Sequence, residues 1–261
     1  MIRYSLENYR SLAAHSPVIC PSLLACDFSN LERDIRSLEE AGARILHLDI
    51  MDGHFVPNLS IGIPVVECVR KITDMLLDVH LMISAPEAYL LPFRDAGADA
   101  LTFHVEAIAD ELLPGRNFAR NGCKKSDFPD ADHPAVQKIS ETLEKIRGLG
   151  IAAGLSIIPP TEVEVLAHWT HLCDNVLIMS VMPGFGGQRF DASALDKLQW
   201  LREHAPRRMF RCVDGGVNED TLEACVSAGA TGLIMGTAIF KNPDRQQQMK
   251  ILQNRINELS F

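Results

Sequence analysis

Short apolar runs rich in β-branched residues recur along the chain. They are VICPSLL from Val18, ARILHLDI from Ala43, LLDVHLMI from Leu76, DALTFHV from Asp99, IAAGLSII from Ile151, NVLIMSV from Asn175, MFRCVD from Met209 and TGLIMG from Thr231. Most are followed by a stretch with helical spacing, as between Asn30 and Ala41, where Leu31, Ile35 and Leu38 fall on one face. Three such stretches end at Ala41-Gly42-Ala43, Ala96-Gly97-Ala98 and Ala228-Gly229-Ala230, and glycine just past a helix is the usual stop. Eight strand–helix repeats with right-handed crossovers predict a closed parallel barrel in a single domain of class α/β. An open doubly wound sheet is the competing arrangement and normally uses fewer strands.

Two segments break the rhythm. Residues 1–16 precede the first strand as an N-terminal extension, so the barrel spans 17–261. From about 107 to 134 the sequence is polar, punctuated by Gly and Pro and without a clean period, which reads as a long loop inserted after strand 4.

Composition then narrows the class. The chain has 261 residues, of which 47% are hydrophobic and 23% charged, with a net charge of −9. That is the profile of a globular protein with a large core. An acidic balance without a block of like charge argues against nucleic acid or an anionic membrane as partner, so an anionic ligand has to be held by local positive potential. Seven cysteines form no C-x-x-C pair and leave one over, which fits a reducing, cytoplasmic setting. The N-terminus lacks the apolar core of a signal peptide, and the uncharged stretch from Ala224 up to Lys241 is too broken by glycine and threonine for a membrane span.

Chemistry in a parallel barrel belongs at the C-terminal ends of its strands. On the second run His47, Asp49 and Met51 alternate, so the pleat turns all three to one face, successive ones about 6.6 Å apart. His80 and Met82 share a face of the third run. Asp214 ends the seventh and is followed by Gly215-Gly216. A lone strand histidine is more often a hydrogen-bonded core residue than a ligand, and a strand-end aspartate is often a helix cap. Two imidazoles and two carboxylates on three strands at one end are different: such a set suits a borderline divalent ion. Phosphate needs free backbone N–H groups. Glycine-rich segments suited to this follow strand six (Met182 to Gln188, with Gly184, Phe185, Gly186 and Gly187), strand seven (Gly215-Gly216) and strand eight, where Gly236-Thr237 opens the last helix.

The motifs HLDIMDGHFVPN, DVHLMI, MSVMPGFGGQRF, VDGGV and GTAIF resemble the ribulose-phosphate 3-epimerase family, from Pro21 to about Lys241. The resemblance implies a (β/α)8 TIM barrel, an isomerase of carbohydrate metabolism that inverts carbon 3 of a ketose phosphate. D-ribulose 5-phosphate to D-xylulose 5-phosphate is the first expectation and D-allulose 6-phosphate the second. It implies one divalent metal ion, with zinc, iron, manganese and cobalt all open, on His47, Asp49, His80 and Asp214. Asp49 and Asp214 become the acid/base pair acting through an enediolate. Substrate contacts fall on Ser22, His80, the thioethers of Met51, Met82 and Met179, Gly184 to Gly187, Gly215, Gly216, Gly236 and Thr237. A homo-oligomer is implied as well.

Departures from the family pattern are Ile158-Pro159-Pro160-Thr161-Glu162 after strand five, where N-P-x-T-P is common, and Cys212 where an acidic residue is common. A phosphate-binding decarboxylase would carry a D-x-K-x-x-D motif, and Asp49-Ile50-Met51-Asp52 lacks the lysine. A noncatalytic sugar-phosphate sensor would keep the glycine loops, with little use for both aspartates and both histidines.

Overall fold

The computed structural model describes residues 5–14, 17–113 and 115–259. The chain runs α1 (Ser5–Ala14), β1 (Val18–Pro21), α2 (Leu31–Glu40), β2 (Ile45–Met51), α3 (Ile63–Ile72), β3 (Leu76–Met82), α4 (Leu90–Ala96) and β4 (Ala100–His104). It continues through α5 (Val105–Leu112), α6 (Phe118–Asn121), α7 (Pro134–Gly148), β5 (Ala152–Ile157), β6 (Asn175–Met179) and α8 (Ser193–His204). The last elements are β7 (Phe210–Asp214), α9 (Leu222–Ala228), β8 (Gly232–Met235), α10 (Thr237–Phe240) and α11 (Arg245–Leu259). All eight strands pair in parallel in the order β1-β8-β7-β6-β5-β4-β3-β2. A parallel bridge between Ser22 and His47 joins β1 to β2, which brings the sheet round into the expected (β/α)8 barrel.

Period-two alternation sorts the side chains into two cores. Residues such as Leu46, Leu48, Val79, Leu81, Leu101 and Leu233 point outward and bury against helical residues such as Ile35, Leu38, Val66, Val69 and Phe93. Val18, Cys20, Ile45, Ala100, Ala152, Leu177, Phe210, Cys212 and Ile234 form a second cluster inside the barrel. The same parity turns His47, Asp49, Asp78, His80, Thr102, His104 and Asn175 inward, and all seven are buried. Here burial selects side chains that satisfy one another's hydrogen bonds.

The structure departs from the sequence reading in three places. The N-terminal extension includes α1, whose Tyr9, Leu12 and Ala13 close the amino end of the barrel beside Phe210. Arg10 pairs with Asp174 at 2.6 Å, and the Asn175 amide donates to the Tyr9 hydroxyl at 2.7 Å. The remaining residues of that extension, 1–4 and 15–16, lie outside the described ones. The segment read as a loop from 107 to 134 begins within α5, where Val105, Ile108 and Ala109 bury at helical spacing. Asp110 then caps α6 by accepting from the N–H groups of Phe118 and Ala119 at 2.6 and 2.9 Å. Phe118, Cys123 and Phe128 anchor the segment in the core, and Pro114 within it lies outside the described residues. Finally, the helix opened by Gly236-Thr237 stops at Phe240, and the terminal helix starts separately at Arg245. Asn242 and Asp244 between them form a turn in which the Asp244 N–H donates to the Asn242 side chain at 2.9 Å.

Candidate active site

At the C-terminal mouth, the loops after β1, β6, β7 and β8 enclose a cavity of about 480 Å³. Ser22, Asp49, Met51, Met82, Met179, Asp214, Gly215, Gly216, Gly236 and Thr237 line it, as do all four residues from Gly184 to Gly187. His47 and His80 are fully buried against its acidic floor. Every site residue expected from the sequence therefore converges on one place. Register explains why: Asp49 pairs with His80 and Met51 with Met82 across β2–β3, and Met179 pairs with Asp214 across β6–β7.

One ligand atom from each of His47, Asp49, His80 and Asp214 lies within 4.8 Å of the others, a possible metal site. Each side chain is aimed by a second group. His47 Nδ1 sits 2.8 Å from Asp78 Oδ2, so the Asp78 carboxylate accepts its N–H and Nε2 is the nitrogen turned towards Asp49. That Nε2 is buried, has no hydrogen-bond partner among the described residues, and lies 3.3 Å from Asp49 Oδ1. His80 Nδ1 is 3.0 Å from the same oxygen, and the Ser22 hydroxyl donates to Asp49 Oδ2 at 2.7 Å. Two imidazole nitrogens and two carboxylates around one point make a donor set for a borderline divalent cation. The orphaned His47 nitrogen is the observation that fits it.

The electrostatics separate the two aspartates. Burial works against the Asp49 charge, but the imidazoles of His47 and His80 outweigh it and hold this carboxyl well below the usual carboxylate range. Burial and the adjacent Asp49 charge push Asp214 the other way, up to about 7. Burial pulls His80 down to about 4, while His47 is raised well above its ordinary value because Asp49 and Asp78 overcome its desolvation. The cluster attracts positive charge wherever it can hold it.

Gly215 and Gly216 shape the wall beyond Asp214. Both adopt left-handed φ, 108° and 65°, and a Cβ on Gly216 would sit 2.5 Å from the backbone nitrogen of Phe190. No other residue fits there without moving the chain. The loop after β6 carries the exposed Phe185 and is tied down by Gln188, which donates to the carbonyls of Met182 and Phe185 at 2.8 Å. Asn58 donates to the Gly184 carbonyl at 2.6 Å from the facing loop.

Four contributors escaped the sequence reading. Asp78 lies two residues before His80, so strand parity alone places it on the same face. His104 at the end of β4 and Glu106 in the first turn of α5 extend the buried polar network. Lys241, four residues after Thr237 and on the same turn of chain, is the one lysine or arginine lining the cavity among the described residues.

A parallel eight-stranded barrel with an acidic–imidazole cluster under a glycine-lined mouth, at the C-terminal ends of its strands, has the form of a barrel enzyme. The sequence matches the profile of the ribulose-phosphate 3 epimerase family over residues 18–126 and 130–240, and the chain belongs to that family, a family of isomerases. It is 37% identical to the ribulose-phosphate 3-epimerase of Bacillus subtilis, covering 88% of this chain and 94% of that protein. The Synechocystis enzyme of the same name is also 37% identical, with 91% and 93% covered. Eremothecium gossypii has a relative of that name at 33%, covering 93% and 94%. Among solved structures, KGPDC from Streptococcus mutans aligns with a TM-score of 0.60 at 14% identity, covering 94% of this chain and all of that one. Orotidine 5'-phosphate decarboxylase from Pyrococcus horikoshii aligns with a TM-score of 0.60 at 13%, covering 92% and 99%. At such identities the likeness is one of fold.

Proposed function

We propose that the protein inverts carbon 3 of a ketose phosphate, with D-ribulose 5-phosphate and D-xylulose 5-phosphate as its pair. The observation that carries this reading is geometric: the carboxylates of Asp49 and Asp214 meet in one cavity beside the imidazoles of His47 and His80. In the metal-free cluster the neighbouring imidazoles favour an ionised Asp49, while burial beside that charge raises Asp214 to about 7. Inversion beside a ketone means removing a weakly acidic hydrogen from one face and returning a proton to the other, which a single base cannot do. An ionised Asp49 takes the proton, a protonated Asp214 supplies one, and the roles exchange in reverse.

A divalent ion held by His47, Asp49, His80 and Asp214 would neutralise the negative charge that develops on the sugar oxygens as the hydrogen leaves, worth several kcal/mol. Zinc, iron, manganese and cobalt all suit these ligands. Ser22 holds Asp49 in place through its hydroxyl, and Met51, Met82 and Met179 present apolar, polarisable walls that keep water from the reacting carbon. Backbone N–H groups of Gly184 to Gly187, Gly215, Gly216, Gly236 and Thr237, with Lys241, form the end suited to phosphate. Phe185 and its glycine neighbours form a flap that closes over the bound ester. A groove of about 1080 Å³ adjoins the cavity and shares Pro183, Phe185 and Gln188 with it, which leaves room for a six-carbon substrate such as D-allulose 6-phosphate. Among the described residues no helix is long and apolar enough to cross a membrane, and the seven cysteines are unpaired. The thiols suit a cytoplasmic protein, and exposed Leu59, Tyr89 and Leu91 suit association into a homo-oligomer.

The test is incubation of metal-loaded protein in deuterium oxide with a panel of five- and six-carbon ketose phosphates. Deuterium at carbon 3 with inversion is expected, fastest for ribulose 5-phosphate, and Asp49→Asn or Asp214→Asn should abolish it in a folded protein. Absence of exchange with every substrate, or near-normal turnover by either variant, contradicts the proposal.

A further inference from the structure

Behind His80 runs a hydrogen-bonded chain that leaves the cavity altogether. His80 Nε2 is 2.9 Å from Nε2 of His104, and His104 Nδ1 is 3.1 Å from Glu106 Oε2. The other oxygen, Oε1, accepts from the backbone N–H of Ile158 at 3.0 Å and from the Thr161 hydroxyl. Thr161 Oγ1 in turn accepts from the N–H of Cys123, in the segment between β4 and α7, at 3.0 Å. His80, His104 and Glu106 are fully buried, and Phe55 covers the His104 ring at a centroid distance of 4.8 Å. Water has no access to break the chain.

Direction follows from what each group can give. A carboxylate accepts only, so His104 Nδ1 must carry the hydrogen facing Glu106. In the neutral ring Nε2 is then an acceptor, and the facing Nε2 of His80 must donate. His80 then keeps its lone pair on Nδ1, 3.0 Å from Asp49 Oδ1, so these two acceptors call for a cation rather than a hydrogen between them.

We propose that Glu106 and His104 are positioning residues that fix the tautomer of His80, so that its Nδ1 lone pair faces the cation site. They act through His80 and touch neither substrate nor reacting atoms. This rests on the metal-site reading above. It also gives a role to the departure at Ile158–Thr161, because that turn orients Glu106. Ile158 offers only an N–H, so the oxygen beside it must be an acceptor and the other oxygen is committed to His104.

Glu106→Gln inverts the polarity with little change of shape. The Ile158 N–H selects the amide oxygen for its own side, so the NH2 group is presented to His104 Nδ1. His104 must then move its hydrogen to Nε2, where it opposes a His80 that donates from the same place. The experiment is zinc titration by calorimetry on the full chain, paired with nitrogen-15 histidine spectra of the zinc-loaded protein. Unaltered protein should bind one zinc, with His104 protonated on Nδ1 and His80 on Nε2. Glu106→Gln should bind zinc about 10–100-fold more weakly, with His104 protonated on Nε2. Zinc binding by Glu106→Gln equal to the unaltered protein overturns the relay and leaves the metal site standing, as does a His104 hydrogen on Nε2 in the unaltered protein. That spectrum decides the matter even if the variant does not fold. Failure of the unaltered protein to bind zinc removes the metal-site reading and the relay with it.

Discussion

Asp214→Asn should make the metal-free protein harder to unfold while destroying its activity. In the unfolded chain this carboxyl has an ordinary value of 3.8; in the fold, burial and the Asp49 charge carry it to about 7. Because the folded value is raised, its full stability is present only below the unfolded value and is lost as pH climbs through 7. At about 1.4 kcal/mol per tenfold change in proton affinity, the ionised group costs the fold up to about 4 kcal/mol at pH 8.5. Asp214 opens onto the cavity and keeps some hydration, so a gain of about 1–3 kcal/mol is expected from the neutral amide, which retains an oxygen for the Gly215 N–H. At pH 4.5 the gain should shrink to about a quarter, since the folded carboxyl is then already protonated. The assay is urea unfolding of chelator-treated protein at both pH values, with equal slopes as the check that only stability has changed. Saturating zinc should reverse the order, stabilising the parent but not the variant. No gain at pH 8.5, or the same gain at both pH values, would refute the claim that the two aspartates repel one another inside one site.

Three further outcomes follow from contacts at the edges of the site. Asp78→Asn removes the acceptor that fixes His47, and calorimetry should show zinc affinity falling about 10–100-fold with the barrel intact. Lys241→Ala should raise KM for the sugar phosphate about 10-fold with kcat within a factor of about two, the signature of lost ground-state binding; a fall in kcat alone would place the lysine elsewhere in the reaction. Tyr9→Phe leaves the Asn175 amide short of its 2.7 Å partner and should cost about 1–2 kcal/mol in urea unfolding, with zinc affinity reduced as well.

What could be read along the chain was whatever obeys a simple period. His47, Asp49 and His80 were visible because strand parity and a common end suffice to bring them together, and Asp214 because a double glycine follows it. Asp78 obeys the same parity, but one inward carboxylate looks like another until register sets it 2.8 Å from His47. Glu106 was out of reach for a different reason: it already belongs to α5, and its partners Ile158 and Thr161 are more than fifty positions away. α1 and α5 were missed because charged residues interrupt their apolar faces. Tyr9, Leu12 and Ala13 recur at helical spacing, yet only the barrel floor beneath them tells which side is buried.

That floor has a further consequence. The Asn175 amide that meets Tyr9 also reaches Asp78 Oδ1 at 3.4 Å and Thr102 at 3.1 Å, so the lid at one end of the barrel is wired to His47 at the other. Removing the leading helix, or pulling on it with a bulky N-terminal fusion, would unseat an imidazole on the far side of the molecule. Affinity for the cation thereby becomes a remote gauge of whether α1 is properly docked.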